Sequence, residues 1–239
     1  MPTIETTIRE LIAEMPAGAR ILANHDIDFC GNAKRSLEEV CRGRRMSADT
    51  LLQEIETAFA RDPRCERTWE ESTLRDLMDY ILTKHHGYLR RQLPWIEAMA
   101  RRIEEKHGEA NPFLTPVRET VTALREELEA HLRKEEVVLF PFIAKMDRGE
   151  APGQSCFGTV ANPIRMMEYE HDSAKDALKA LRQLTGGYTV PPRSCLTFRI
   201  LYFELAALEA DLFEHIRLEN EVLHPRAKEM EQELSLAKA

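Results

Sequence analysis

Apolar residues recur along the chain at intervals of three and four, and the β-branched runs that mark strands are absent, so the pattern predicts an all-α protein. Four long amphipathic stretches dominate. The first, 72–107, opens at "ESTLRD", where Ser72 or Thr73 can cap a helix, and closes at Gly108 and Pro112. The second runs from about Thr115 to Met146, the third from Asn162-Pro163 to Gly186-Gly187, and the fourth from near Ser194 to about Gln232. An up-down-up-down four-helix bundle buries such stripes most simply.

Residues 1–66 follow a different rhythm. Shorter helical pieces are expected at about 4–14, 17–24, 36–42 and 47–60, joined through "NHDIDFCGNAKRS", and "ARDPRCERTW" reads as a linker. The expected organisation is a small N-terminal helical module over 1–66, with a cysteine-containing turn at Cys30, and a bundle over 67–239.

The interior seam of each long helix can be followed by steps of four and three. On the second, positions 117, 121, 124, 128, 131, 135, 138 and 142 are Val, Val, Leu, Leu, His, Glu, Val and Phe. On the fourth, 201, 205, 208, 212, 215, 219 and 222 are Leu, Leu, Leu, Leu, His, Glu and Val. The first gives Leu82, His86, Leu89, Leu93, Ile96, Ala100 and Ile103, and the third gives Ile164, Met167, His171, Ala174, Leu178 and Leu181. Every helix thus places a histidine in the seam, and two add a glutamate four residues on.

The segments "HLRKEEVVLFP" (131–141) and "HIRLENEVLHP" (215–225) match along their length. His86 and His171 are separated by almost the same interval as His131 and His215. This spacing indicates a duplicated helix hairpin with an approximate two-fold axis.

Buried carboxylates without compensation each cost several kcal/mol. Metal ions remove that penalty. Residues at i and i+4 lie ~40° apart around a helix, so His131 with Glu135, and His215 with Glu219, can serve one centre. Four imidazoles and two carboxylates, with no thiolate, suit iron better than magnesium or calcium, while zinc and manganese remain open by ligand type. Six side chains would fill one octahedron, so a dinuclear site is expected, with Glu135 and Glu219 bridging. An oxo or hydroxo bridge between two iron ions then leaves one open position per metal for dioxygen, nitric oxide or peroxide.

The remaining polar residues near the seam have plainer expectations. His85 lies ~100° round the helix from His86, toward solvent or a neighbour. His224 lies ~180° from His215 and replaces Phe140 of the first half, so the two-fold should hold at the metals and fail outside them. Glu170, next to His171, is a candidate hydrogen-bond partner for the site.

Charge and cysteine usage narrow the partners. With 33 Lys+Arg against 41 Asp+Glu the chain carries a formal charge of -8, which disfavours nucleic acid and anionic membranes. The opening "MPTIETTIRELIAEM" lacks the basic start and apolar run of a secretory signal, and no apolar run spans a bilayer, so a cytoplasmic location is expected. Five scattered cysteines without CxxC spacing argue for reduced thiols.

On these residues the chain resembles the haemerythrin-like di-iron proteins, and within them the RIC (repair of iron centres) family of bacterial iron-sulfur cluster repair proteins. The resemblance rests on "DIDFCGNAKRSLEEV", "HHGYLRRQLPWI", "HLRKEEVVLFP", "EYEHD" and "HIRLENEVLHP" and covers nearly the whole length. It implies two iron ions on His86, His131, Glu135, His171, His215 and Glu219. It also implies repair of iron-sulfur clusters damaged by nitrosative or oxidative stress, by iron donation from a labile centre, with the damaged cluster proteins as partners.

Two alternatives stay open: a nitric oxide or peroxide reductase at the same centre, and a haemerythrin-like oxygen or iron sensor. The residues assign no catalytic group, client or electron donor, and a homodimer is compatible with them. The family's N-terminal module carries a Cys-Cys-Gly-Gly turn, whereas this chain has Cys30-Gly31-Asn32-Ala33. Cys30 is therefore a candidate for a thiol role without a vicinal partner.

Overall fold

In the computed structural model of the chain, the described residues are 2–15, 18, 21, 22, 25, 27, 29, 31–44, 46–59, 69, 72–150, 158–192 and 194–236, with the side chains of 13, 58 and 59 left aside. They divide into two compact units, one of 1–66 with 188–206 and one of 67–187 with 207–239. Cys30, the expected linker at 60–68 and most of the expected helix at 17–24 lie outside the described residues.

The first unit holds α1 (Ile8–Glu14), α2 (Leu37–Arg42) and α3 (Ala48–Phe59). Thr7 with Glu10, and Ser36 with Glu39, form reciprocal capping boxes that satisfy the free amides at the starts of α1 and α2. Helix α1 begins at Ile8 rather than at residue 4. The reason is a competing use of the backbone: the Thr6 carbonyl accepts from Leu37 N–H at 3.1 Å and the Ile4 carbonyl from Glu38 N–H at 2.8 Å. Ile8, Leu11, Leu22, Leu37, Leu51 and Ile55 are buried at the centre of this unit.

The long helices are α4 (74–107), α5 (114–147), α6 (Ala161–Leu184) and α7 (196–236). Helix α4 packs on α5, and α5 on α6; the last turns of α7 pack on the last turns of α5. Thr73 caps α4 through the Asp76 amide. Gly186 and Gly187, at φ +60° and +70°, end α6 in the left-handed conformation that a residue without Cβ adopts freely. Among the described residues there is no strand beyond one isolated bridge between Thr7 and Ser36, and no helix is long and apolar enough to cross a membrane. The described residues are all-α, as the periodicity predicts.

Three of the four long helices contain a π-helical segment: Ile81–His86 in α4, Glu135–Leu139 in α5 and Leu218–Leu223 in α7. Their signature is the i to i−5 hydrogen bond, from Gly87 to Leu82, Phe140 to Glu135 and His224 to Glu219. Each wide turn absorbs an extra residue and so slips the apolar stripe by one. Leu82, Val138 and Phe142, expected in the seam, give way to Ile81, Leu139 and Ile143, and Val138 is 41% exposed. Two prolines sit just beyond these segments. The ring of a proline clashes with the carbonyl four residues earlier. For Pro141 and Pro225 that carbonyl belongs to Val137 and Glu221, inside the widened turns.

Candidate metal centre

The six seam residues meet in the middle of the second unit, all of them buried. They form two overlapping groups of donors, His86 with His215 and His131 with His171, each completed by Glu135 and Glu219; within a group the donor atoms lie within 4.8 Å of one another. The Glu135 carboxylate stands 3.4 Å from His86 Nε2 and 3.3 Å from His131 Nε2. Glu219 stands 2.9 Å from His215 Nε2 and 3.0 Å from His171 Nε2. Each glutamate therefore touches one imidazole from each group.

Several of these contacts are unsatisfied as hydrogen bonds. Both Glu135 oxygens, Glu219 Oε2 and His86 Nε2 are fully buried and make none among the described residues. His171 Nε2 and His131 Nε2 face each other at 3.2 Å, which is repulsive between two lone pairs unless a proton or cation lies between them. Orphaned carboxylate and imidazole atoms that converge on common points are what a cation-binding cage requires. The donor set is nitrogen and oxygen only, which fits iron.

The outward nitrogens are ordered differently. His86 Nδ1 donates to Glu136 at 2.7 Å, and Glu136 in turn accepts from Arg90 at 2.6 Å. His131 Nδ1 donates to Glu170 at 2.9 Å, and Glu170 is also held by Lys134. His171 Nδ1 donates to the Asn220 side-chain oxygen at 2.9 Å. A carboxylate oxygen, or the amide oxygen of Asn220, can only accept, so these bonds put the proton on Nδ1 and turn Nε2 inward as the donor atom. Glu170 takes the place beside the site that the sequence suggested.

Electrostatics follow from the burial. For His131 desolvation opposes the charged form, but the Glu135 carboxylate beside it wins and pushes the imidazole up to about 9. His86 is raised by the same balance. Burial and the Glu219 charge push against ionisation of Glu135, yet the charge of His131, with the close approach of His131 and His86, holds it below the usual carboxylate range. Glu219 is likewise held low, by His215 and His171 against burial. Protons on His86 and His131 can therefore offset the carboxylate charge where a metal would otherwise do so.

Two buried histidines lie just outside the six. His85, expected near solvent or a neighbour, is buried; its ring stacks on His215 at 5.4 Å and 6°, and its Nδ1 meets Asp211 at 3.1 Å. His224, expected off the ligand face, is fully buried and stacks on His171 at 6.0 Å and 6°. Phe140, its counterpart, stacks on His86 at 5.7 Å. The two-fold thus extends one ring beyond the seam, with the chemistry changed. An α-helical wheel misses this because the π segments rotate 85 and 224 inward.

Residues 77–227 match the Hemerythrin HHE cation binding domain, and residues 4–58 match ScdA_N, a domain of unknown function. The chain is 32% identical over 218 residues to proteins named iron-sulfur cluster repair protein YtfE in Escherichia coli O1:K1 / APEC and in Escherichia fergusonii, covering 91% of this chain and 94% of theirs. Fold and site together define a haemerythrin-like cation-binding bundle. Within that class, the chain belongs to the RIC family of iron-sulfur cluster repair proteins.

Proposed function

We propose that this protein repairs iron-sulfur clusters damaged by nitrosative or oxidative stress, by donating iron from a labile di-iron centre. The observation that carries the reading is the pair of donor groups sharing both glutamates, which offers two adjacent positions on one set of six side chains. One ion would rest on His86 and His215, the other on His131 and His171, with Glu135 and Glu219 bridging. Two bound irons would supply redox-active, exchangeable metal. The chain's own part is to hold the Nε2 atoms inward through Glu136, Glu170 and Asn220, and to exclude water from the carboxylates.

The name borne by the similar Escherichia proteins supports repair as the task, with damaged iron-sulfur proteins as clients. The two matched domains flank residue 66, which supports a functional boundary between an N-terminal module, 1–66, and a bundle, 67–239. Metal quantification should find two irons per chain with a coloured visible spectrum, and a colourless zinc-loaded protein would overturn the reading. Incubation of the iron-loaded protein with an apo ferredoxin-type acceptor should rebuild its cluster above free-iron controls.

A second reading, reduction of nitric oxide or peroxide at the same centre, is favoured by a cavity of about 360 Å³ lined by Glu127, His131, Glu170, His171, Leu212 and His215. It brings a small molecule against three of the six donors. Steady nitric oxide turnover with a reductant, in place of iron transfer, would promote it.

A further inference from the structure

The duplicated hairpins are alike in the six donors and unlike in what stands behind them. In the first half, Glu136 follows Glu135 and accepts from His86 Nδ1; at the same place in the second half, Asn220 follows Glu219 and accepts from His171 Nδ1. Glu170, which precedes His171, accepts from His131 Nδ1; its counterpart preceding His86 is His85. His85 does not take that role. It lies flat on the His215 ring and bonds Asp211, so it covers the face of His215 and offers nothing in the plane of its Nδ1. His215 Nδ1 is buried with no hydrogen-bond partner among the described residues.

Each metal position therefore has one imidazole backed by a carboxylate: His86 by Glu136, His131 by Glu170. Those two supports are closely matched, because each carboxylate is also tied by one cation, Arg90 or Lys134. The difference between positions reduces to their second imidazoles. His171 is fixed on its Nδ1 by Asn220, whereas no hydrogen bond among the described residues fixes the Nδ1 of His215. A partner on Nδ1 sets the ring's orientation and raises its basicity as a ligand, and losing one typically costs roughly 10–100-fold in metal affinity.

We propose that the two metal positions are unequal: the position on His131 and His171 binds first and firmly, and the position on His86 and His215 is the weaker one from which an ion is surrendered. This rests on the two-metal reading above and deepens it. It assigns the donated iron to one side of the cage and leaves the other ion to keep the bridging glutamates paired.

Stepwise addition of Co(II) to the metal-free full-length protein, followed by its visible bands and by calorimetry, tests this directly. The expected result is two ions bound in two steps whose affinities differ by roughly 10–100-fold. Asn220→Ala should weaken the first step toward the second, and Asn220→Asp should restore or strengthen it. His85→Glu, which places a carboxylate where Glu170 stands in the other half, should strengthen the second step alone. A structural disturbance would not produce that gain. Uptake of two ions in one step of equal affinity overturns the inference while leaving the two-metal reading intact, and saturation at one ion or none overturns both. The parent protein decides the inequality even if His85→Glu does not fold, and Asn220→Ala with both steps unchanged would sink the assignment of positions.

Discussion

At Glu135 and Glu219 two carboxylates are sealed from water with only imidazoles to neutralise them, so metal and proton compete for the same nitrogens. His131 sits at about 9 in the folded chain against 6.5 for the free side chain. A group raised on folding contributes its stability fully below pH 6.5 and loses it as pH rises through 9. The glutamates are lowered from 4.5, so their contribution is present above that value and fades as pH falls. The metal-free protein should therefore melt at a higher temperature at about pH 5.5 than at about pH 9.5, and metal loading should shrink the difference. Melting curves of chelated and loaded samples at both values check this; equal losses on going alkaline would contradict it. Metal uptake should also release protons at neutral pH, and affinity should climb toward pH 9. Glu135→Gln keeps the volume but removes a charged donor common to both groups. The expected outcome is one ion or fewer per chain by metal analysis, and two ions in this variant would refute the shared-ligand role.

Along the helices, the sequence carried the ends and the seam well and the wide turns not at all. Thr73 and the Gly186-Gly187 pair announce their boundaries through side-chain chemistry and backbone freedom, which are local properties. The six donors were legible although His86, Glu135 and Glu219 lie in the π segments, because the steps of four from His131 and His215 end at or near the start of those segments, before the register slips. Leu82, Val138 and Phe142 were misplaced because a π turn breaks that step without changing composition. The same slip hid His85 and His224, whose burial depends on the widened backbone. A π segment amounts to one inserted residue, so removing one restores α register. Deletion of Val138, an exposed position, should leave Phe140 four residues from Glu135 and keep the seam below it. We expect a folded helical protein by circular dichroism whose metal affinity falls at least tenfold. Parent-like metal binding would show that the wide turn is incidental to the cage.

Across the whole bundle, the two-fold that relates His86 to His171 and His131 to His215 also relates two ion pairs, with the charges exchanged. Glu97 on α4 is held by Arg125 on α5, and by Thr122 at 2.9 Å and Arg101 at 3.2 Å. At the same places in the second hairpin, Arg182 on α6 grips Glu209 on α7 with Nε at 3.0 and 3.2 Å. Both glutamates are nearly buried while their arginines reach solvent, so each pair joins neighbouring helices at low exposure. Since one hairpin carries acid then base and the other base then acid, the packing accepts either order and what matters is complementarity. Arg125→Glu would set two acids together beside a buried carboxylate and should cost about 1–3 kcal/mol. Adding Glu97→Arg should return about half or more of that loss, because the reversed pair copies the arrangement already present in the second hairpin. Chemical denaturation of the parent, both single variants and the double variant measures the coupling. Additive losses in the double variant would mean that each residue is held by its own surroundings, such as Thr122 and Arg101 for Glu97, and that the exchanged pairs do not act as equivalent clasps. Because the clasps lie away from the six donors, the double variant should keep the metal stoichiometry of the parent, which separates the assembly of the hairpins from the filling of the cage.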